Sequence, residues 1–313
     1  MNLIYKLYFW LPNFNFLGLP GRVVNRLLQI ILKWILDRMI PVYFERNEFR
    51  AGPGINIDPR DESYIVSLTS LPERINEVWI TIETLMHQTF KPDMIILWLA
   101  EEQFPDKIIP ESLSKLKGRG LTINFCEDLR AHKKYFYSLI NYPGSNIITV
   151  DDDLYYPGNL LSNLVKLHRE FPDLIVTNRA HRITFNGKEL NPYRRWKHNV
   201  TDTEPSFLLM ATGGAGTLYP PDSLHNDVFN KELIRELCFY ADDLWLKIMS
   251  LRRDKKIATN KIYNKDFASV GKSQRTKLVS VNVLQGGNDE QLKNLLAYYG
   301  KDLLLRHTRN QEV

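Results

Sequence analysis

Between residues 62 and 150 the chain alternates short, wholly apolar runs with longer segments of helical period. Tyr64–Leu68, Met94–Leu99, Leu121–Phe125 and Ile147–Val150 are rich in Ile, Val and Leu and are bounded by polar or turn residues. Runs apolar on both faces are the pattern of strands in a parallel sheet covered by helices. Between them, Ile75–Gln88 carries Val78, Trp79, Ile82 and Leu85 on one face, and Glu111–Lys117 and Lys133–Ile140 are shorter helical stretches. This alternation predicts an α/β fold with a doubly wound, mostly parallel sheet and right-handed crossovers. Beyond residue 150 the pattern loosens. Asn159–Phe171 is expected to be a helix, Leu174–Asn178 a short strand, and 179–205 is polar and aromatic without a clear period. Met210–Leu218 contains Gly213-Gly214-Ala215-Gly216, and helices follow from about Lys231 and over Asp242–Arg252, then an α-rich tail.

The first fifty residues differ. Residues 1–20 are aromatic and apolar, interrupted by Pro12, Gly18 and Pro20, and lack the charged start and small-residue cleavage site of a signal peptide. From Arg22 to Ile40 the polar residues fall at 22, 25, 26, 29, 33, 37 and 38, a narrow stripe on an otherwise apolar helix. Such a helix lies in a membrane interface or docks on the protein's own body. No run reaches the eighteen or so uncharged residues of a membrane span. The organisation expected is an amphipathic segment over 1–50, a main domain over 62–260 and a helical extension over 261–313.

Composition changes this picture little. The formal charge is +5 over 313 residues, and +4 of it falls in the first fifty, where seven Lys/Arg face three acids. A nucleic-acid footprint over the main domain is therefore not expected. Two cysteines, Cys126 and Cys238, are too few for a disulfide framework and read as reduced, buried residues of a cytoplasmic protein.

The chemistry gathers at the ends of the predicted strands. Ile147–Val150 runs into Asp151-Asp152-Asp153 and then a Pro157-Gly158 turn. Three carboxylates cannot continue a buried strand without counter-charge or water, so they belong at its carboxyl end, where open α/β sheets bind ligands. Alternate residues Asp151 and Asp153 can point the same way, and hard oxygen ligands suit Mg²⁺ or Mn²⁺. A solvated acidic turn capping the next helix is the plain alternative, although a cap needs one Asp. The loop Thr69–Arg74, on the same sheet edge, offers hydroxyls, amides and Arg74 to a base or phosphate. Asp128 follows the third strand, and His132-Lys133-Lys134 open the next helix, where cations oppose the helix dipole and point to an anion between them. Gly213 and Gly214 permit close backbone approach to a ligand. Asp242 and Asp243 begin a helix: one can cap it and the other, Asp243 by preference, can act as a base. Tyr193-Arg194-Arg195-Trp196 combine stacking rings with cations. His181, His225 and His307 are candidate third metal ligands.

Taken together, Ser67–Arg74, Val150–Asp153, Gly213–Gly216 and Ala241–Leu244 resemble the nucleotide-sugar glycosyltransferases of the GT-A fold, in particular those of bacterial surface-polysaccharide loci and, more distantly, exostosin-type domains. The resemblance covers about residues 62–260. It implies metal-assisted transfer from a nucleoside-diphosphate sugar, UDP-sugar favoured, to a glycan or lipid-linked glycan, in lipopolysaccharide or capsule synthesis. It further implies that Asp153 holds Mn²⁺ or Mg²⁺ through the donor diphosphate, that Asp151 and Asp152 approach the ribose or the metal, and that Asp242 or Asp243 serves the acceptor. Residues 22–40 would then hold a cytoplasmic enzyme on the inner face of the cell membrane. Three other readings use some of the same residues: a sugar nucleotidyltransferase, a haloacid-dehalogenase-like phosphatase, and a non-catalytic membrane-surface partner of a transferase. The first would want a Gly-rich basic loop after the first strand, and Thr69–Arg74 has no glycine.

Overall fold

The computed structural model describes residues 18–47, 52–201, 204–260, 262–263, 266–271 and 286–305. Helix α1 (Leu19–Asn47) is followed by β1 (Tyr64–Thr69), α2 (Val78–Met86), β2 (Met94–Ala100), α3 (Glu111–Lys117), β3 (Leu121–Cys126), α4 (Lys133–Asn141), β4 (Asn146–Thr149) and α5 (Leu160–Glu170). The apolar runs become the parallel strands β1–β4. Their side chains alternate between faces with the period of two that a strand imposes. Tyr64, Val66, Leu68, Ile95, Leu97 and Leu99 face α2, α3 and α5, and Ile65, Ile96 and Trp98 face the opposite side, with Tyr137 and Leu139 of α4. The second segment runs β5 (Ile175–Thr177), β6 (Ala180–Arg182), β7 (Phe185–Asn186), β8 (Glu189–Leu190), β9 (Lys197–Val200), β10 (Leu209–Ala211), β11 (Thr217–Tyr219), α6 (Lys231–Leu237), α7 (Asp242–Arg252), β12 (Ile257–Thr259) and α8 (Gly287–Tyr299).

The central sheet has the order β12-β5-β11-β4-β1-β2-β3. Every neighbouring pair is parallel except those made by β11, which is antiparallel to both β4 and β5. The fold is thus a mixed α/β architecture with a mainly parallel sheet, as the alternation predicted. From β1 the chain winds outward to β3 and returns to β4 on the other side of β1, so the topological switch point lies between β1 and β4. The carboxyl ends flanking it carry Thr69–Arg74 and Asp151–Asp153.

Two features depart from the sequence reading. The stretch 179–205 has no period because it is cut into very short strands: β6 pairs with β9 and β10 in a small antiparallel sheet, and β7–β8 form a hairpin. Helix α1 also runs beyond 22–40, through Pro41, which costs one backbone hydrogen bond. Leu36, Ile40 and Phe44, on both sides of that proline, are buried against Ile80, Tyr155, Ala268 and Val270. Each such burial contributes at most ~1.5–3 kcal/mol. Lys33 reaches the carbonyls of Ser269 (2.8 Å) and Gly271 (2.6 Å), and Asp37 accepts from the Tyr155 hydroxyl (2.9 Å). The described residues beyond 260 pack into the same body: Val270 N–H donates to the Asp153 carbonyl at 2.7 Å, and Leu292 and Leu295 of α8 join the core that holds α7. Cys126 and Cys238 are both buried free thiols.

Candidate active site

A cavity of about 510 Å³ opens at the switch point. Its wall contains Thr69, Ser70 and Arg74 after β1, Arg130, Lys133 and Lys134 between β3 and α4, Asp151–Asp153 after β4, Gly214, and Asp242 and Asp243 at the start of α7. These pieces are separated by as much as 174 residues (69 to 243), and the fold brings them to one edge because each follows a parallel strand or enters a helix packed beside it, apart from Gly214, which sits between β10 and the antiparallel β11.

Each side chain is positioned by identifiable contacts. The buried Ser67 hydroxyl on β1 donates to the Lys134 carbonyl and lies 2.8 Å from Ser138 Oγ, which also accepts from the Trp98 indole at 2.8 Å. This polar seam locks the first turn of α4 onto the sheet and aims Lys134 at the cavity. The triplet is fixed by Thr81, which donates to the Asp152 carbonyl (2.9 Å), and by Tyr156. The Tyr156 hydroxyl accepts from the Asp151 amide at 2.9 Å and donates to the Gly214 carbonyl at 3.0 Å, tying the triplet to the glycine loop. Glycine at 214 leaves Asp151 its position, because a Cβ there would stand 2.5 Å from Asp151 Oδ2.

Charges alternate across the wall. Lys134 Nζ is 3.0 Å from Asp151 Oδ1 and 2.9 Å from Asp242 Oδ2. Burial alone would lower its pKa, but Asp151, Asp242 and Asp243 together hold it well above the usual lysine value. Arg74 Nη1 is 2.7 Å from Asp152 Oδ1 and 3.2 Å from Asp153 Oδ2. Burial pushes the Asp152 carboxyl up to about 6 against the opposing pull of Arg74, with the Asp153 charge adding to the rise. Burial and the neighbouring Asp242 charge likewise push Asp243 up to about 7, against Lys134 and the Gly213 amide, whose N–H donates to Asp243 Oδ1 at 3.0 Å.

The residues predicted from sequence divide accordingly. Thr69, Arg74, Lys133, Lys134, Asp151, Asp152, Asp153, Gly214, Asp242 and Asp243 line the cavity. Gly213 and Asp128 stand behind its wall, one on Asp243 and the other 2.5 Å from Lys133 Nζ. The cations at the start of α4 therefore meet the protein's own carboxylates. Asp152 spends one carboxylate oxygen on the Ser70 hydroxyl (2.5 Å) and the other on Arg74, and so clamps the β1 loop to the end of β4. Neither Asp242 nor Asp243 caps α7: the helix starts after Ala241 with no side-chain cap. Of the histidines, His181 packs edge-on against His198 and Tyr193 (4.3 Å between the two imidazole centroids), His225 caps a turn through the Asp227 amide, and His307 lies outside the described residues. Tyr193 lines the cavity, whereas Trp196 is buried and donates to the Asn191 carbonyl.

Sequence reasoning missed Arg130, Tyr240 and Asn288, which also line the cavity. Arg130 was findable as a neighbour of a predicted strand end, and Tyr240 as a neighbour of the Asp pair. Asn288 arrives on α8 with no local signal.

Among the described residues no three His, Cys, Asp or Glu side chains converge on one point. Mg²⁺ needs only one or two carboxylates when substrate phosphates and water complete its shell. Asp151 and Asp153 both line the cavity, the first beside Lys134 and the second beside Arg74.

No protein-family model and no curated protein matches the chain. Among solved structures it is similar to a CMP:2-keto-3-deoxy-manno-octonic acid synthetase in complex with CTP. The identity is 12% and the TM-score 0.39, over 73% of this chain and all of the other. A likeness that distant carries no argument about chemistry, which rests on the cavity itself.

Proposed function

We propose that the protein is a transferase acting on a nucleotide-activated sugar, and specifically a glycosyltransferase that moves the sugar from a nucleoside diphosphate to an acceptor hydroxyl. The observation that carries this is the pairing of two unlike halves in one cavity. One half offers cations and the end of the Asp triplet, which suit a diphosphate. The other offers Asp243, a half-buried carboxylate pushed up to about 7, which suits proton abstraction near neutrality. Asp151 and Asp153 would hold Mg²⁺ or Mn²⁺, which when bound neutralises charge on the leaving diphosphate. Arg74 and Lys133 also line the cavity, each already paired with the protein's own carboxylates. Lys134 fixes Asp242 and Asp151 relative to one another, so that the acceptor and donor halves keep their spacing. Asp243, oriented by the Gly213 amide, takes the proton of the acceptor hydroxyl as it attacks the anomeric carbon. The Tyr193 ring on the cavity wall suits the nucleoside or the sugar. The acceptor we favour is a glycan or lipid-linked glycan.

The competing reading is a sugar nucleotidyltransferase, which joins a nucleoside triphosphate to a sugar and releases pyrophosphate. Such an enzyme needs cations in the loop after β1 for the triphosphate. Here Arg74 is the one cation of Thr69–Arg74, and it is paired with Asp152 and Asp153. Both reactions can be assayed on the same preparation. Glycosyl transfer predicts release of nucleoside diphosphate from a UDP-, GDP- or dTDP-sugar and no pyrophosphate from a nucleoside triphosphate with sugar or sugar phosphate. Pyrophosphate release alone would replace the proposal with its competitor.

A further inference from the structure

Ten of the seventeen exposed large apolar side chains among the described residues lie on one helix, α1. Leu19, Val23, Leu27, Ile30 and Trp34 recur at helical spacing on a single stripe, with Ile31 beside them, and each is more than half exposed. This stripe is distinct from the docked face, which uses Leu36, Ile40 and Phe44. The cations divide in the same way. Lys33 and Asp37 are turned inward and consumed by contacts to 269–271 and Tyr155. Arg22, Arg26, Arg38 and Arg46 stay exposed against one exposed acid, Glu45, and Arg38 stacks on Trp34 at 5.9 Å.

We infer that the outer face of α1 is a membrane-interface surface that lays its apolar stripe into the acyl boundary of an anionic bilayer while its arginines meet the lipid headgroups. The charge pattern selects this occupant. A second copy of the same face would bring a like-charged arginine set against itself, whereas an anionic surface complements it. The preceding sequence has the same character: residues 1–17 contain six aromatic rings, one lysine and no acid, a composition favoured at the headgroup level. Among the described residues no helix is long and apolar enough to cross a membrane, so α1 is assigned to lie on the surface while its docked face holds the body against it. The inference is independent of the chemistry in the cavity.

The test uses the full-length chain in flotation with phosphatidylcholine vesicles, with and without phosphatidylglycerol. Leu27→Glu/Ile31→Glu/Trp34→Glu and Arg22→Glu/Arg26→Glu alter only outward-facing side chains, and circular dichroism and Tm confirm that each remains folded. Wild type is expected to float with the anionic vesicles, more weakly in high salt. The apolar variant should lose partitioning by about tenfold or more, and the charge reversal should remove the preference for anionic lipid. Equal flotation of wild type and the apolar variant would overturn the inference, as would no flotation of wild type. So would a lipid-free dimer, seen by sedimentation velocity, that the apolar variant splits into monomers.

Discussion

Replacing Lys134 with methionine removes one amine of similar chain length from the centre of three carboxylates. Lys134 is 5% exposed, so its counter-ions cannot simply be handed to water. Breaking a buried ion pair by deleting one partner costs ~3–5 kcal/mol, because a buried charge is left uncompensated. Asp242, at 13% side-chain exposure, bears most of that penalty, while Asp151, at 38%, is partly relieved by solvent. The lower end, ~3 kcal/mol, is therefore the reasonable magnitude, equivalent to a Tm loss of about 5 °C for a chain of this size. The loss should depend on pH. The folded Asp243 carboxyl already titrates near 7, well above its unfolded value. A carboxyl of this kind contributes its stability fully below the ordinary carboxylate range and loses it as pH rises through about 7. Without Lys134 the cluster relies on protonation, so the variant should be closer to wild type at pH 5 than at pH 8. Differential scanning calorimetry at the two pH values measures both quantities. An unchanged Tm, or the same loss at both pH values, would refute the assignment of Lys134 as the counter-charge of this cluster.

Three further perturbations probe other parts of the site. Asp243→Asn keeps an oxygen for the Gly213 amide but cannot take a proton, so kcat should fall by roughly 10²–10⁴-fold with little change in Tm. In wild type, kcat should rise as pH passes through about 7, and this rise should be absent from the variant. Gly214→Ala forces a Cβ to within 2.5 Å of Asp151, and displacement of that carboxylate should raise the donor KM more than it lowers kcat, as read by initial-rate kinetics. Tyr156→Phe leaves the Asp151 amide and the Gly214 carbonyl without their shared hydroxyl, a cost of ~1–3 kcal/mol measurable by urea unfolding.

The sequence made the sheet edge legible for a simple reason. Apolar runs such as Ile147–Val150 declare buried strands, and the polar residues just after them must then lie at strand ends. Asp151–Asp153 were located this way, and Lys133, Lys134 and Asp242–Asp243 by the helices they open. Local pattern could not reveal what depends on partners distant in the chain. β11 is three residues long and follows a glycine loop, so nothing in it announces an antiparallel strand wedged between β4 and β5. Nor does the serine at 67 announce that it grips the backbone of Lys134. The middle carboxylate of the triplet was expected on the donor, yet its oxygens are taken by Ser70 and Arg74, a pairing 78 residues apart. Helix α1 was readable as amphipathic, but its extension through Pro41 depended on a docking surface that includes Ala268 and Val270.

The central claim, that the cavity between β1 and β4 holds a nucleoside diphosphate through Asp151 and Asp153, is tested most directly by isothermal titration calorimetry. UDP, GDP, dTDP and CMP would be titrated with Mn²⁺ and again with EDTA, into wild type and into Asp153→Ala. The account predicts that one nucleoside diphosphate binds, that EDTA weakens it by about tenfold or more, and that Asp153→Ala removes the metal-dependent part. Absence of binding by every nucleotide, or binding that neither EDTA nor the substitution alters, would contradict it.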